Sequence, residues 1–308
     1  VTLRKTAFIV NSIASSRCDA KWRRIEEYIK GNCHSCDVMV TKSDGQATQL
    51  TRDAVKSGCQ VVVAVGGDGT VNEVVNGFFE KGVMFDQNLV LAIIPLGSGC
   101  DLARSLGIPS EISETIRVVE GNSTRRIDVG MVDFVNLGGE RERRHFVNIA
   151  DLGGGGLVVQ KATRAPRILG QRPNYLWGIL SVAFSYKART MNVSIDGGEP
   201  LRLAAKNLII ANGRYFGRGF LAAPQSKMDD GLFDIVSIGD FGTIESLWHL
   251  PKLYRGTHLG LEKVSYFRGR KVEASSEEEV LLEMDGELVG TLPATFGIIP
   301  GAIDVATR

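Results

Sequence analysis

The chain has 308 residues, of which 44% are hydrophobic and 36 are glycine, and its formal net charge is +1. That length supports two cores rather than one, and the charge balance excludes a globally basic nucleic-acid binder. No apolar run reaches the ~18 residues of a membrane-spanning helix, the longest being Leu176–Phe184, so membrane contact is expected to be peripheral.

In chain order, Thr6–Val10 reads as a buried strand that runs into Asn11-Ser12. Trp22, Ile25, Tyr28 and Ile29 then mark a helix stopped near Gly31. Val38–Thr41 is a second strand, and Gln46–Lys56 a helix closed by Gly58. Strand Val61–Val65 enters Gly66-Gly67-Asp68-Gly69-Thr70, after which Val71, Val74, Val75 and Phe78 form one helix face. Glycines let a backbone approach a ligand closely, and the amides opening the next helix attract phosphate oxygens. Asp68 is the odd member, a carboxylate suited to taking a proton from an attacking hydroxyl or to holding Mg²⁺ beside a nucleotide. Thr70 and Glu73 have the spacing of a capping box. Neither a dinucleotide fingerprint nor a Walker loop fits the turn, because Asn72 stands where the former needs glycine or alanine and no G-x-x-x-x-G-K-[ST] occurs.

Strand Leu89–Ile94 ends in a second glycine turn, Pro95-Leu96-Gly97-Ser98-Gly99, and Asp101–Leu106 forms a short helix closed by Gly107 and Pro109. This alternation predicts an open, mostly parallel sheet whose ligand lies beyond the carboxyl ends of the strands. Asn11, Ser12, Thr41, Gly66–Thr70 and Gly97–Gly99 all follow strands directly. From about Ile127 the texture changes to short strands broken by turns: Ile127–Val132, Phe146–Ala150, Val193–Ile195, Leu208–Ala211, Phe233–Ile238, Val280–Met284, Ala294–Ile299 and Ala302–Val305. One helix, about Thr243–Tyr254, interrupts them. The expected division is therefore residues 1–126, an α/β nucleotide domain to which the final strands could return, and residues 127–308, an all-β sandwich.

Five cysteines at irregular spacing do not make a disulfide scaffold, and Cys33-His34-Ser35-Cys36 lacks a second pair for zinc, so free thiols are expected. With the absent initiator methionine, which implies trimming, this points to a reducing intracellular compartment, cytoplasmic or mitochondrial. Between Leu152 and Ile195 there is no acidic residue, while Lys161, Arg164, Arg167, Arg172, Lys187 and Arg189 interleave with Tyr175, Trp177 and other apolar residues. Such a segment suits docking on an anionic bilayer, or is an ordinary basic surface over a core helix.

Four motifs in order carry a resemblance: Gly66-Gly67-Asp68-Gly69-Thr70-Val71-Asn72-Glu73, Pro95-Leu96-Gly97-Ser98-Gly99-Cys100-Asp101-Leu102-Ala103-Arg104, Met228-Asp229-Asp230-Gly231-Leu232-Phe233-Asp234, and Asp285-Gly286-Glu287. Together they resemble the diacylglycerol kinase and sphingoid base kinase superfamily. The resemblance implies an ATP-dependent lipid kinase with an α/β nucleotide domain, a β-sandwich lipid domain and an active site in the cleft between them.

Residue by residue, Asp68 resembles the catalytic base and also a substrate contact, with Glu287 as the alternative proton acceptor. Asn11, Ser12, Ile13, Thr41, Gly66, Gly67, Gly69, Thr70, Glu73, Gly97, Ser98, Gly99, Arg164, Asp285 and Gly286 match ATP-contacting positions. Asp230 resembles a Mg²⁺ ligand acting with the backbone carbonyls of Lys227 and Leu232; a plain turn is the other reading. Cys100 stands where the family has asparagine. Sphingosine kinases pair the substrate amine with an aspartate just after the strand that Asn148–Ala150 resembles, and Asp151 lies several residues early, so either the register differs or the amine is read otherwise. The expected reaction is phosphorylation of a sphingoid long-chain base. Diacylglycerol kinase is the nearest rival, and ceramide kinase, NAD kinase and a non-catalytic lipid or nucleotide sensor are further alternatives.

Overall fold

The computed structural model describes residues 4–17, 19–32, 36–80, 82–97, 99–164 and 186–308. The chain divides into two compact units, Val1–Val129 with Gly301–Arg308, and Gly130–Pro300.

In the first unit, β1 (Thr6–Val10) leads into α1 (Ser12–Arg17) and α2 (Asp19–Asn32), followed by β2 (Cys36–Val40), α3 (Gln46–Lys56), β3 (Val61–Gly66) and α4 (Asp68–Gly77). A two-residue hairpin, β4 (Phe79–Glu80) and β5 (Val83–Met84), precedes β6 (Val90–Pro95), α5 (Asp101–Ser105) and α6 (Ile112–Glu120). The sheet is parallel: β1 lies between β2 and β3, β3 pairs with β6, and Asp304 and Val305 of the returning C-terminus pair with Val90 and Leu91. Strands buried on both faces read as unbroken apolar runs, which is why every residue of β3 and β6 is buried. Phe8, Val10, Val63, Val65 and Ile94 pack with Ile25 and Ile29 of α2 and Ile112 and Val118 of α6, whereas Ala7 meets Ala54 of α3 on the other face.

Helix α6 escapes the sequence reading. Its amphipathic stripe, Ile112, Thr115 and Val118, is short, and its cap is Glu111, whose carboxylate accepts the Glu114 amide at 2.9 Å. The expectation of free thiols fails at one place. Cys36 is disulfide-bonded, while Cys59 and Cys100 are free.

The second unit holds most of β7 (Thr124–Asn136), then β8 (Arg141–Phe146), β9 (Ile149–Gly153), α7 (Gly154–Arg164), β10 (Arg189–Ile195), β11 (Leu201–Ala205), β12 (Asn207–Ala211), β13 (Tyr215–Phe216) and β14 (Phe220–Leu221). It continues with β15 (Phe233–Ile238), α8 (Thr243–Arg255), β16 (Val264–Gly269), β17 (Lys271–Ser275), β18 (Leu281–Met284) and the greater part of β19 (Glu287–Ala306). One antiparallel layer runs β16-β15-β12-β9-β18, and β11-β10-β17 forms another, with β19 pairing to β18 through Glu287–Thr291 and to β17 through Ala294–Gly297. Between the layers lie Ala150, Leu152, Leu208, Ile210, Phe233 and Leu282 from the first and Met191, Val193, Val272 and Ala274 from the second. Alternation puts the intervening residues on the opposite face of the first layer, where Ile149, Ile209, Ala211 and Val236 form a separate apolar cluster.

An all-β reading of this unit misses α7, which opens on Gly154-Gly155-Gly156, poor helix formers by propensity. Packing explains them: a Cβ on Gly155 would overlap the Asp151 carboxylate, and one on Gly156 would meet Leu281 Cβ at 2.9 Å.

Candidate active site

Because the sheet of the first unit is parallel, β1, β2, β3 and β6 all release their loops at one end, and these loops bond to one another. The Asn11 amide donates to Val65 O (3.0 Å) and the Thr41 amide to Val10 O (2.9 Å), while the Gly97 amide donates to Gly66 O (3.2 Å). Asn11 Nδ2 donates to Thr70 Oγ1 at 3.1 Å, and the Ser12 amide to Thr41 Oγ1 at 3.4 Å. The two glycine turns touch: a Cβ on Gly97 would sit 2.5 Å from Gly67 Cα, so Gly97 excludes a side chain for a steric reason, and one on Gly67 would press on Gly97 Cα at 3.3 Å. Helix α4 has Gly67 as its N-cap and no side-chain cap, which leaves its leading amides and the positive end of its dipole for an anion.

Three side chains of this cluster do something the spacing did not indicate. Asp68 is half-buried and accepts two amides of the neighbouring loop, Asp101 N–H on Oδ2 and Leu102 N–H on Oδ1, each at 3.1 Å. It thereby caps α5 in trans, since the N-cap Cys100 supplies no side-chain bond. Glu73 likewise caps a neighbour: its Oε2 accepts the Ala47 amide in the first turn of α3 at 2.9 Å, and its carbonyl accepts Thr48 Oγ1. The capping box expected between Thr70 and Glu73 is therefore absent, because the N-cap of α4 is Gly67, three residues before Thr70. Thr70 is buried with its hydroxyl on Asn11, and Ile13 is exposed in the first turn of α1. Cys100 adopts the left-handed conformation (φ 53°) that asparagine tolerates well, and its thiol donates to Gly97 O at 3.3 Å. Burial, reinforced by the Asp68 charge, pushes that thiol up to about 12, so it stays neutral. Ser98 lies outside the described residues, Gly99 is half-buried, and Arg164 ends α7 with its side chain outside the description.

In the second unit the Asp285-Gly286-Glu287 turn is built around buried amides. Asp285 (φ 47°) accepts Val147 N–H on Oδ2 at 2.9 Å and the Asn148 and Ile149 amides on Oδ1 at 3.0 Å each. At least three of the four acceptor sites of this carboxylate are filled by the backbone, which ties the turn to the residues opening β9. The Gly286 amide donates to Glu283 Oε1. Glu287 keeps a 37% exposed side chain, with Oε2 held 3.0 Å from Arg144 Nη2.

Across β9 and β18, Asp151 and Glu283 are direct antiparallel partners, both buried. Burial pushes Asp151 up to about 7 against the bond from Asn207 Nδ2 (2.8 Å), and burial together with the Asp151 charge holds Glu283 well above the usual carboxylate range. Sequence reasoning missed Glu283, Asn207 and Arg144. The only hint was a charged residue interrupting the apolar run of β18.

Behind this pair lies an apolar cavity of about 180 Å³ between the outer face of the first layer and α8, walled by Val158, Phe216, Phe220, Phe241, Leu250 and Leu253. Asn207 and Gly155, both in contact with Asp151, line it as well.

The Asp230 carboxylate is ion-paired with the Arg268 guanidinium through Oδ2 and accepts the Leu232 amide on Oδ1 at 3.2 Å in a local turn, so a metal bound there with the carbonyls of Lys227 and Leu232 would share its carboxylate with Arg268. Among the described residues no group of three metal-ligating side chains occurs. Of the basic segment, Arg167 and Arg172 and the apolar residues from Tyr175 to Phe184 lie outside the described residues. Arg189 is paired with Glu278.

Residues 5–132 match the diacylglycerol kinase catalytic domain, and residues 152–307 match the YegS C-terminal NAD kinase beta sandwich-like domain. The chain is 34% identical over 278 residues to the probable lipid kinase YegS-like of Chromohalobacter salexigens, covering 89% of this chain and 84% of that protein. It is 31% identical over 266 residues to a diacylglycerol kinase of Bacillus subtilis, covering 83% and 80%. Among solved structures, a diacylglycerol kinase of Bacillus anthracis superposes with a TM-score of 0.69 at 20% identity over 100% of this chain and 98% of that one. Yeast NADH kinase superposes at 0.56 and 11% identity over 99% and 84%, a likeness of fold alone. The chain thus belongs to the diacylglycerol kinase family of lipid kinases, phosphotransferases whose kinase chemistry implies ATP as the donor.

Proposed function

We propose that this kinase transfers the γ-phosphate of ATP to the hydroxyl of a neutral glycerolipid of the diacylglycerol class. The observation that carries this reading is the apolar cavity of the second unit, two of whose lining residues, Asn207 and Gly155, contact Asp151, a buried carboxyl that faces Glu283 and is held above its ordinary range rather than left open to solvent. A buried pair that resists ionisation is a poor counter-charge for an ammonium headgroup and a tolerant neighbour for an uncharged one. The names of the relatives, diacylglycerol kinase among them, point the same way.

The sphingoid base remains as a second reading, favoured by one observation. Asp151 Oδ1 is buried with no hydrogen-bond partner among the described residues, so an ammonium brought to it would gain both a charge and a bond.

The glycine turns of the first unit are the proposed phosphate cradle, with Asn11, Ser12, Ile13, Thr41, Ser98, Gly99, Arg164 and Gly286 retained as candidate ATP contacts. Mg²⁺ enters, on this reading, as the counter-ion of the nucleotide phosphates. We assign Asp68 to holding the second glycine turn in place and Glu287 to accepting the proton of the lipid hydroxyl, because Glu287 has an oxygen outside its ion pair whereas both Asp68 oxygens are engaged. The test is γ-phosphate transfer across diacylglycerol, sphinganine, ceramide and NAD with the purified chain. Phosphorylation of diacylglycerol well above sphinganine is the expected result, and a preference for sphinganine, ceramide or NAD sinks it.

A further inference from the structure

Helix α8 is apolar on two opposite sides and has no buried residue. Its inner side, Ser246, His249, Leu250 and Leu253, lines the cavity. Its outer side, at spacings of three, four, seven and ten residues, carries Ile244 (84% exposed), Leu247, Trp248 (79% exposed), Pro251 and Tyr254. A globular helix normally covers one apolar stripe and shows water the other face, so two large side chains about four-fifths exposed on adjacent turns call for a partner.

The charges around this face are one-sided. Arg255 falls eleven residues after Ile244 and seven after Trp248, on the same side, and Lys252 flanks it. The acid of the helix, Glu245, is turned to Lys263 at 2.8 Å and to the Gly242 amide at 3.1 Å. The outer face therefore presents a tryptophan-bearing apolar ridge edged by two cations. The Tyr254 ring lies 4.5 Å from Phe220 of the cavity wall, so the ridge and the wall are continuous.

We propose that the outer face of α8 is a bilayer-docking surface, inserting Ile244, Leu247 and Trp248 among the acyl chains of an anionic membrane while Lys252 and Arg255 meet its headgroups. An interfacial helix has this composition, with tryptophan at the boundary and cations snorkelling to phosphate. The placement deepens the lipid-acceptor reading, on which it rests: the helix whose outer face lies in the bilayer is the helix whose inner face roofs the acceptor cavity, so a lipid leaving the membrane has the shortest apolar path. A second copy of the chain is disfavoured as the occupant, because facing cations would repel across a two-fold contact.

The experiment is co-sedimentation of the full chain with phosphatidylcholine vesicles, with and without phosphatidylglycerol, beside phosphorylation of diacylglycerol either in the vesicles or as a short-chain, water-soluble form. Ile244→Ser with Trp248→Ser is expected to lower vesicle partitioning by about tenfold or more and the rate on vesicle-borne lipid in parallel, while the rate on the soluble form stays at the wild-type value. Lys252→Gln and Arg255→Gln are expected to lower binding to anionic vesicles about fivefold each and to leave neutral vesicles unaffected. Unchanged partitioning of the double serine variant overturns the proposal. So does a wild-type chain that ignores vesicles but dimerises through residues 244 and 248 in light scattering. A wild-type chain that binds vesicles through this face yet phosphorylates no diacylglycerol in either form sinks the acceptor reading and leaves the docking surface standing.

Discussion

The acidic residues of the two units are used in opposite ways. In the first unit Asp68 sits half-buried at a loop end and ties one glycine turn to the next through two amides. In the second unit Asp285 is buried under three amides, and Asp151 faces Glu283 across two strands in surroundings that disfavour charge. All four occupy or adjoin glycine-rich motifs. The difference teaches that an aspartate beside glycine is not by that fact catalytic: how many amides its oxygens already accept, and how much water reaches it, decides whether it can meet a substrate.

The largest expected effect breaks the comparison at Asp285. Replacing it with alanine orphans three backbone amides that lie in the buried interior, and at about 1–3 kcal/mol for each such group the loss is roughly 3–9 kcal/mol of stability. Urea unfolding followed by circular dichroism measures this directly. A small shift in the midpoint, accompanied by a raised KM for ATP, would place Asp285 in the nucleotide site.

Glu287→Gln is the counterpart, in which stability should hold and kcat should fall by about 10² to 10⁴. A variant that retains most of its turnover removes Glu287 as the proton acceptor.

Asp68→Asn ranks below both. One amide loses its acceptor and faces an NH₂ group instead, so the second glycine turn loosens, and KM for ATP is expected to rise about tenfold, with roughly 1–2 kcal/mol of stability lost. Collapse of kcat at unchanged KM would instead make Asp68 the base.

The smallest effect is in pH. Because the folded Asp151 carboxyl is raised to about 7, the folded state keeps a proton that the unfolded chain has released above about 4. Its contribution is complete below the unfolded value and is lost as pH rises through about 7, at no more than about 1.4 kcal/mol per pH unit. Wild type should therefore lose stability relative to Asp151→Asn between pH 4 and 7. Parallel stability curves for the two proteins would place an ionised carboxylate at position 151.

Much of this molecule was legible in the sequence. The βαβ alternation, the Val61–Gly66 run into the glycine turn, and the buried stripe Val71, Val74, Val75 and Phe78 are local statements, because strand burial and helix periodicity repeat along the chain itself. Helix α7 was hidden by its glycines, whose low propensity is overridden by the need to pass close to Asp151. Glu73 was legible as a helix-capping residue, but of the wrong helix: its target, the Ala47 amide, lies 26 positions back.

What the sequence by itself determined is the order and type of the elements, the two glycine turns, the four family motifs and hence the class of chemistry, all of which depend on residues near one another in the chain. What only the tertiary structure decided is which carboxylate does what. That depends on amides 33, 34 and 136–138 positions away reaching Asp68 and Asp285, and on strand β18 lying beside β9 so that Glu283 meets Asp151. Hydrogen bonding and desolvation act through space, and no spacing along the chain encodes them.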